Sequence, residues 1–438
     1  MLLRTCALLP ILVASAAPLG AAVWTVDDAV ATALRQNPDA QAARHRIEAC
    51  EAMLAQVNSA WQPQIYLTGG YAQTNNALVG LIFTMYQRNF GPNLNFNRPG
   101  WVDDLNATGT LVYNLYSGGQ PTARRDAARA GTRAAEQDLR AVQLQLAAEV
   151  VKVMLNLRKA REQIAALEAG VKVYAANVAN ARLRFEAGQM LKADLLSLEV
   201  QTARTRELLS SARHAAALAA RLFTFVLGST PTDDPIELAE SDPALAGLAI
   251  PTTRDFSQRP ELRRLQERLR MAESLVVAAR GGNRPNVNAY VSGQYDQGWH
   301  FGRHAESLQG GITVEFNVFD GGRTNGKVRQ AAAELAQVKD ELRKTELSLG
   351  LEVERARLAH ADAQERLRVT TGAVAQAEES AALSRARFEK GVLLTAELIG
   401  SESRLLETQI SRALAAADER IALIDLRRAL GLPTLPQL

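Results

Sequence analysis

The sequence predicts a mainly α-helical fold with a small β part. Long antiparallel coiled-coil hairpins and pairs of short strands occur twice along the chain. Three observations predict this fold: short motifs recur at a constant separation, long stretches contain no proline, and four segments of about ten residues alternate between apolar and polar side chains.

Composition narrows the class of protein. The 438 residues include 50 Lys and Arg against 47 Asp and Glu, so the formal net charge is only +3. Because positive and negative charges nearly balance, the sequence offers no strongly basic surface for nucleic acid, and no nucleic-acid partner is expected. Hydrophobic residues make up 47% of the chain and aromatic residues 5%, which excludes wholesale disorder and suits closely packed helices.

An internal repeat is the most informative feature of the sequence. The motif Arg184–Gly188 matches Arg387–Gly391, 203 residues later. The motif NLYSGG that begins at Asn114 matches NVFDGG at Asn317, again 203 residues later. A constant separation over so long a distance indicates a duplicated structural unit.

The separation changes once along the chain. Pro63 corresponds to Pro285, 222 residues later, so nineteen additional residues lie between Pro63 and Asn114 in the first half. Prolines cluster between the two halves, which is typical of a linker. The predicted organisation is a signal peptide (1–22), a first structural repeat with a helix, two strands and a long helical hairpin (23–228), a linker (229–259) and a second structural repeat (260–438).

The N-terminus has the pattern of a secretory signal peptide. Arg4 precedes an apolar run and a series of small residues, and we expect cleavage after Ala22, with Ala17 as the alternative. The other interpretation is a retained membrane anchor, but the apolar run is shorter than the ~20 residues that a spanning helix needs. Cleavage leaves Cys50 as the single cysteine, so no intrachain disulfide is expected.

Two proline-free stretches predict the long helices. No proline occurs from 122 to 230 or from 286 to 432. Between Val150 and Phe185, apolar residues recur at alternating steps of three and four, which indicates a coiled-coil seam. The predicted hairpins pair 121–185 with 192–227 and 324–388 with 395–430. A helix of this length extends about 98 Å at 1.5 Å per residue, so it belongs to a rod or the wall of a tube.

Four segments predict strands. Each has period-two alternation over about ten residues, the length of a tilted membrane-spanning strand: Gln64–Gln73, Ala107–Tyr116, Asn286–Tyr295 and Gly310–Phe319. The alternative is an ordinary half-buried sheet of a soluble domain. Four strands cannot close a barrel in lipid, whereas three chains supply a trimeric 12-stranded β-barrel above a periplasmic tunnel of helical hairpins.

The sequence also resembles a known family. The opening TVDDAVATALRQNP from Thr25, the two aromatic-[S/D]-G-G motifs, the two RFExG turns and the duplicated layout resemble TolC-type outer-membrane efflux proteins. The resemblance covers essentially the whole chain after the signal peptide. It implies a homotrimeric exit duct in the outer membrane with a long periplasmic extension. Its partners would be a periplasmic adaptor (membrane fusion) protein and an inner-membrane transporter, in tripartite efflux or type I secretion.

The resemblance further implies roles for the two RFExG turns. They would be the periplasmic tips that contact the adaptor, through Arg184, Phe185, Gly188, Arg387, Phe388 and Gly391. Asp194 and Glu397 would constrict the entrance, with Glu397 forming one ring of three carboxylates. Gly400 and Leu393 depart from the family pattern of a second acid and a basic gate partner. The simpler interpretation is that the glycines are helix C-caps and the two acids are first-turn residues favoured by the helix dipole.

No motif indicates an enzyme, and the resemblance implies a duct that performs no chemistry and binds no cofactor. His300 and His304 flank a predicted loop, but a metal site there lacks further ligands, so no metal is expected. The longer first-half loop, 78–104, faces outside the cell in the tube arrangement or folds into the pore. The competing functional hypothesis is an exported periplasmic coiled-coil scaffold without channel activity, which would not need the four strands.

Overall fold

The computed structural model describes residues 23–91, 95, 97–230, 236–239 and 247–433. The predicted signal peptide and parts of the predicted linker lie outside the described residues. The chain forms two compact units. The first comprises Met1–Gln41, Gln143–Arg254 and Glu352–Leu438, and the second comprises Ala42–Val142 and Asp255–Leu351. Each unit therefore draws on both halves of the sequence.

The helices and strands repeat in the same order in each half. The helices are α1 (Val26–Gln36), α2 (Pro38–Asn58), α3 (Ala77–Tyr86), α4 (Gln120–Glu186), α5 (Lys192–Val226), α6 (Pro260–Arg280), α7 (Arg323–Glu389) and α8 (Thr395–Ala429). The strands are β1 (Val23–Trp24), β2 (Gln64–Thr74), β3 (Val102–Ser117), β4 (Glu237–Leu238), β5 (Asn286–Gly298) and β6 (Arg303–Glu315). The order α2-β2-β3-α4-α5 corresponds to α6-β5-β6-α7-α8, which confirms the predicted duplication.

The long helices form as predicted, with each end within one residue of its expected position. None of the described helices combines the length and apolarity needed to cross a membrane. Thr25 caps the N-terminus of α1, because its Oγ1 accepts a hydrogen bond from the backbone N–H of Asp28 at 3.2 Å.

The core of the first unit forms where α1 packs against the long hairpins. Val26, Ala29 and Ala33 lie on one face of α1 and are fully buried with residues of α4 and α5. Farther along the hairpins, the seam residues Leu167 and Tyr174 are also buried. The second hairpin buries the polar residue His360, whose Nε2 lies 3.3 Å from Oε1 of Glu419.

The second unit contains a four-stranded sheet in the order β2-β3-β5-β6, antiparallel throughout. Three strands begin or end close to their predicted positions, although β3 begins five residues earlier than expected. The last strand forms, but its predicted bounds, 310–319, are wrong: β6 begins seven residues earlier and ends four residues earlier. β6 pairs only with β5 among the described strands, and their register ends at Asn286 opposite Glu315, so residues from Phe316 onward have no partner strand.

Two loops also differ from expectation. The segment 78–104 contains most of α3 and the first residues of β3, so it is not a simple loop. His304 lies within β6, and His300 lies in the tight turn between β5 and β6. Among the described residues, no group of three or more His, Cys, Asp or Glu side chains is arranged to hold a metal ion.

Candidate functional site

The turn between α4 and α5 is a Schellman cap. Gly188 has a φ of +76°, its N–H donates to the carbonyl of Phe185 at 2.9 Å, and the N–H of Gln189 donates to the carbonyl of Arg184 at 2.8 Å. This pair of bonds satisfies the last carbonyls of α4 and requires a left-handed residue, for which glycine has no steric cost.

The turn between α7 and α8 repeats this cap. Gly391 has a φ of +74°, its N–H donates to the carbonyl of Phe388 at 2.9 Å, and the N–H of Val392 donates to the carbonyl of Arg387 at 3.0 Å. A β-carbon at Gly188 or Gly391 would meet no atom within 4 Å. Both glycines therefore lie in sterically open positions, and it is the left-handed backbone rather than crowding that requires glycine there.

The two turns contact each other through one arginine. Arg184 donates from Nη1 to the carbonyl of Phe388 at 2.8 Å and from Nη2 to the carbonyl of Glu389 at 2.7 Å. Its guanidinium also lies 5.0 Å from the centre of the Phe388 ring. A cation at the C-terminal carbonyls of α7 is favoured by the helix dipole. Arg387, the counterpart of Arg184 in the duplication, is exposed, and so is Phe185, whereas Phe388 is buried.

The two acidic residues lie in the first turns of α5 and α8. Asp194 is half-buried and Glu397 is exposed. The N–H of Asp194 donates to the carbonyl of Leu191, and the N–H of Glu397 donates to the carbonyl of Leu394, each at 3.1 Å. Neither carboxylate forms an ion pair within the ranges that the structure describes. The structure thus places both acids at helix N-termini, with Glu397 free to face solvent.

Beside the turns, polar side chains join helices within the second hairpin and between the two hairpins. Arg385 and Glu402 form a two-pronged ion pair, with Arg385 Nη2 at 2.9 Å from Glu402 Oε2. Glu402 is only 4% exposed, and its hydrogen bond raises the pKa of Arg385. Tyr174 shares a 2.8 Å hydrogen bond with Ser403, and burial raises the pKa of this tyrosine. The period of the seam identified Tyr174 as buried, but its partner 229 residues away leaves no local signal.

The sheet of the second unit has two chemically different faces. One face is apolar and largely exposed, and it carries Ile65, Leu67 and Tyr71 of β2, Leu111 and Tyr113 of β3, Val291 of β5 and Leu308, Ile312 and Val314 of β6. An exposed apolar surface of this extent marks contact with lipid or another apolar partner.

The opposite face of the sheet is polar. Asn114 Nδ2 donates to the side-chain carbonyls of Asn286 and Asn288, each at 2.7 Å. Thr110 and Ser292 share a 3.1 Å hydrogen bond across the same pair of strands. Because side chains alternate between faces, these bonds form a ladder along β3 and β5 that can face water.

Known structures share this architecture. The chain is similar to the outer-membrane channel OprN, at 20% identity and a TM-score of 0.80, over 94% of this chain and 91% of that one. It is similar to the outer membrane protein VceC of Vibrio cholerae, at 17% identity and a TM-score of 0.77, over 93% and 96% of the two chains. It is also similar to the open state of the MtrE outer membrane channel of Neisseria gonorrhoeae, at 17% identity and a TM-score of 0.75, over 94% and 89%.

The paired long hairpins and the two-faced sheet therefore define the fold of the TolC-like outer-membrane channels. No curated protein sequence is significantly similar to the chain. The model of the outer membrane efflux protein family matches residues 29–229 and 256–432. The chain belongs to the outer membrane efflux protein family.

Proposed function

We propose that this protein is the outer-membrane exit duct of a tripartite efflux or type I secretion system. Three copies would form a channel-tunnel that receives substrates from an inner-membrane transporter and releases them outside the cell. Residues 1–22 would direct export and be removed, and the two repeats, 23–228 and 260–438, would build the wall. The two-faced sheet with its open edges is the observation that carries the proposal.

The dimensions of the apolar face suit a membrane. Its residues on β5 extend from Val287 to Tyr295, about 27 Å along the strand at 3.4 Å per residue. A strand tilt of about 40° reduces this to a height of about 21 Å, close to the ≈ 25 Å apolar band of outer-membrane proteins. The polar face would then line a water-filled passage.

The sheet cannot exist alone in lipid. In the described part of the chain, β2 and β6 each have one unpaired edge. Unsatisfied backbone groups are too costly in hydrocarbon, so these edges need strands from other copies. Three copies would join their sheets into one closed set of twelve strands.

The helices of the first unit also leave surfaces for other copies. Within the first unit, α4 forms ion pairs with α5 and with α8, α5 also contacts α8 through Gln201 and Ser403, and α8 pairs with α7. Two of these helices each carry an uncovered apolar row: Leu196, Val200, Leu208, Leu218, Leu222 and Phe225 on α5, and Leu358, Val369 and Leu383 on α7. Two different apolar rows on one chain would favour a head-to-tail ring of copies, in which the row of one copy meets the other row of the next.

The turns would form the periplasmic end of this ring. The exposed Phe185 and Arg387 and the open glycine caps at Gly188 and Gly391 suit contact with an adaptor protein. Arg184 and the buried Phe388 would hold the two turns together beneath this contact. Asp194 and Glu397 would narrow the entrance. Three unpaired Glu397 carboxylates around one axis would repel each other and favour cations in the opening.

Purification in detergent tests the proposal. Light scattering should give the mass of a trimer, and single-particle images should show a hollow threefold particle with a detergent belt at one end. Reconstituted protein should also conduct ions across a planar bilayer. A soluble filament or dimer without a belt would overturn the duct and favour the periplasmic scaffold.

A further inference from the structure

The nineteen additional residues of the first half contain a helix whose amphipathic character is reversed. The buried side of α3 carries the small or polar residues Gly80 and Thr84. Gln87, just beyond the end of the helix, is buried on the same side. Leu78, Ile82 and Met85 lie on the opposite side and are exposed. Helices on a protein surface normally bury their apolar side, so this exposed face needs a partner.

Gln87 anchors α3 to the polar face of the sheet. It is fully buried, and its Nε2 donates to the carbonyl of Asp103 at 2.7 Å and to Asp104 Oδ1 at 3.0 Å. A β-carbon at Gly298 would overlap the side-chain amide of Gln87. Gly298 shares its face with Asp296, two residues earlier, which accepts a hydrogen bond from Asn106 on the polar face.

Further contacts fix the orientation of α3. A β-carbon at Gly80 would lie 3.5 Å from the side chains of Pro99 and Val102, so this side of the helix faces the start of β3. Arg88 has a φ of +51°, which is unusual for a residue other than glycine, and its Nη2 donates to the carbonyl of Glu306 on β6 at 2.8 Å. The segment is therefore fastened to β3 and β6, with its apolar side directed away from the sheet.

We propose that the α3 helices of three copies meet over the axis of the duct and form an apolar plug. The plug lies near the end of the sheet at which the β5–β6 turn is located. This inference rests on the proposed function, because only a closed sheet directs all three polar faces inward. The second half joins β5 to β6 through a tight turn, so each copy contributes one such helix.

The dimensions of the ring and the lack of charge on α3 both favour three α3 helices over the axis. Twelve strands spaced about 4.8 Å apart and tilted by about 40° enclose a ring of about 12 Å radius. A helix about 10 Å thick that lies against the wall therefore reaches most of the way to the axis. Ala77–Tyr86 contains no charged residue, so three identical copies can approach without like-charge repulsion. An apolar constriction of this kind excludes ions by dewetting.

Disulfide cross-linking tests whether the helices meet. With Cys6 and Cys50 replaced by Ser, an Ile82→Cys variant should give covalent dimers when oxidised. The matched control is Ser307→Cys, exposed on the wall of the same polar face, which should stay monomeric under denaturing conditions. If Ile82→Cys gives no covalent dimer in assemblies whose mass is that of a trimer, the plug is overturned while the duct stands. A wild-type mass other than a trimer overturns the proposed function and the plug with it.

Conductance tests what the plug does. The variant L78S/I82S/M85S should form trimers and conduct ions several-fold better than the wild type in planar bilayers. A Leu308→Ser variant, altered on the apolar face of the sheet, should leave the conductance unchanged. Trimers of the triple variant that conduct no better than the wild type would overturn the plug.

Discussion

The two hairpins carry the same ion pair in two different environments, which allows a matched comparison. Arg385 pairs with Glu402 in the second hairpin, and Arg182 pairs with Glu199 at the equivalent positions 203 residues earlier. The side chains of Arg385 and Glu402 are 40% and 4% exposed, whereas those of Arg182 and Glu199 are 61% and 37% exposed.

We expect Arg385→Ala to destabilise the end of its hairpin by about 2–3 kcal/mol, because it leaves Glu402 buried without a partner. The expected loss of stability is smaller than the ~3–5 kcal/mol typical of removing one partner from a fully buried ion pair, because water partly screens the Arg385 side chain. The equivalent substitution, Arg182→Ala, should cost at most about 1 kcal/mol, as is usual for exposed ion pairs.

Hydrogen exchange followed by mass spectrometry measures this difference locally. A loss of about 2–3 kcal/mol corresponds to amide exchange about 30- to 150-fold faster. That change should be confined to peptides around Glu402 in Arg385→Ala, and peptides around Glu199 should change by less than about sixfold in Arg182→Ala. The double variant R385A/E402A should recover part of the protection, because it removes the buried charge. Equal acceleration in the two single variants, or no recovery in the double variant, would refute the reasoning.

Three other substitutions test the duct. Gly391→Val forces a β-branched residue into a left-handed conformation at a cost of about 1–2 kcal/mol. It should reduce export in cells more than it reduces trimer formation on a sizing column. Equal losses of export and of trimers would indicate a plain helix cap. Glu397→Ala should weaken cation preference and block by multivalent cations in planar bilayers, and an unchanged reversal potential would exclude the acidic ring. Leu222→Asp, in the apolar row of α5, should abolish the trimers that light scattering detects, because it places a charge in the proposed interface. Ser210→Asp, at an exposed site outside that row, should retain them. Intact trimers of Leu222→Asp would contradict the proposed interface.

Much of the fold could be predicted because its signals are long and local. The proline-free stretches and the continuous seam fix α4, α5, α7 and α8 to within one residue. The error in β6 arose because Phe316 and Val318 continue the alternating pattern after the partner strand has ended. Alternation reports which residues can form a strand, and pairing decides which residues do.

The candidate site divides in the same way. The turn glycines are visible in the sequence because the helix cap is a local structure. The contact of Arg184 with the carbonyl of Phe388 joins residues 204 positions apart, so no local pattern reports it. α3 also escaped prediction, because its apolar residues face away from the sheet and a short apolar run does not reveal which side will be buried.

Joining two similar halves in one chain changes how such a molecule can diversify. In a ring of single halves, each substitution would occur at every turn around the circumference. In a ring of joined chains, a substitution occurs at alternate turns only. The two halves already differ in structure: where the first half carries α3 (Ala77–Tyr86), the described second half has a tight turn between β5 and β6, and Arg184 contacts Phe388 whereas its counterpart Arg387 is exposed. Covalent joining thus lets one half acquire new contacts at its turn or at the mouth while the other half keeps its own.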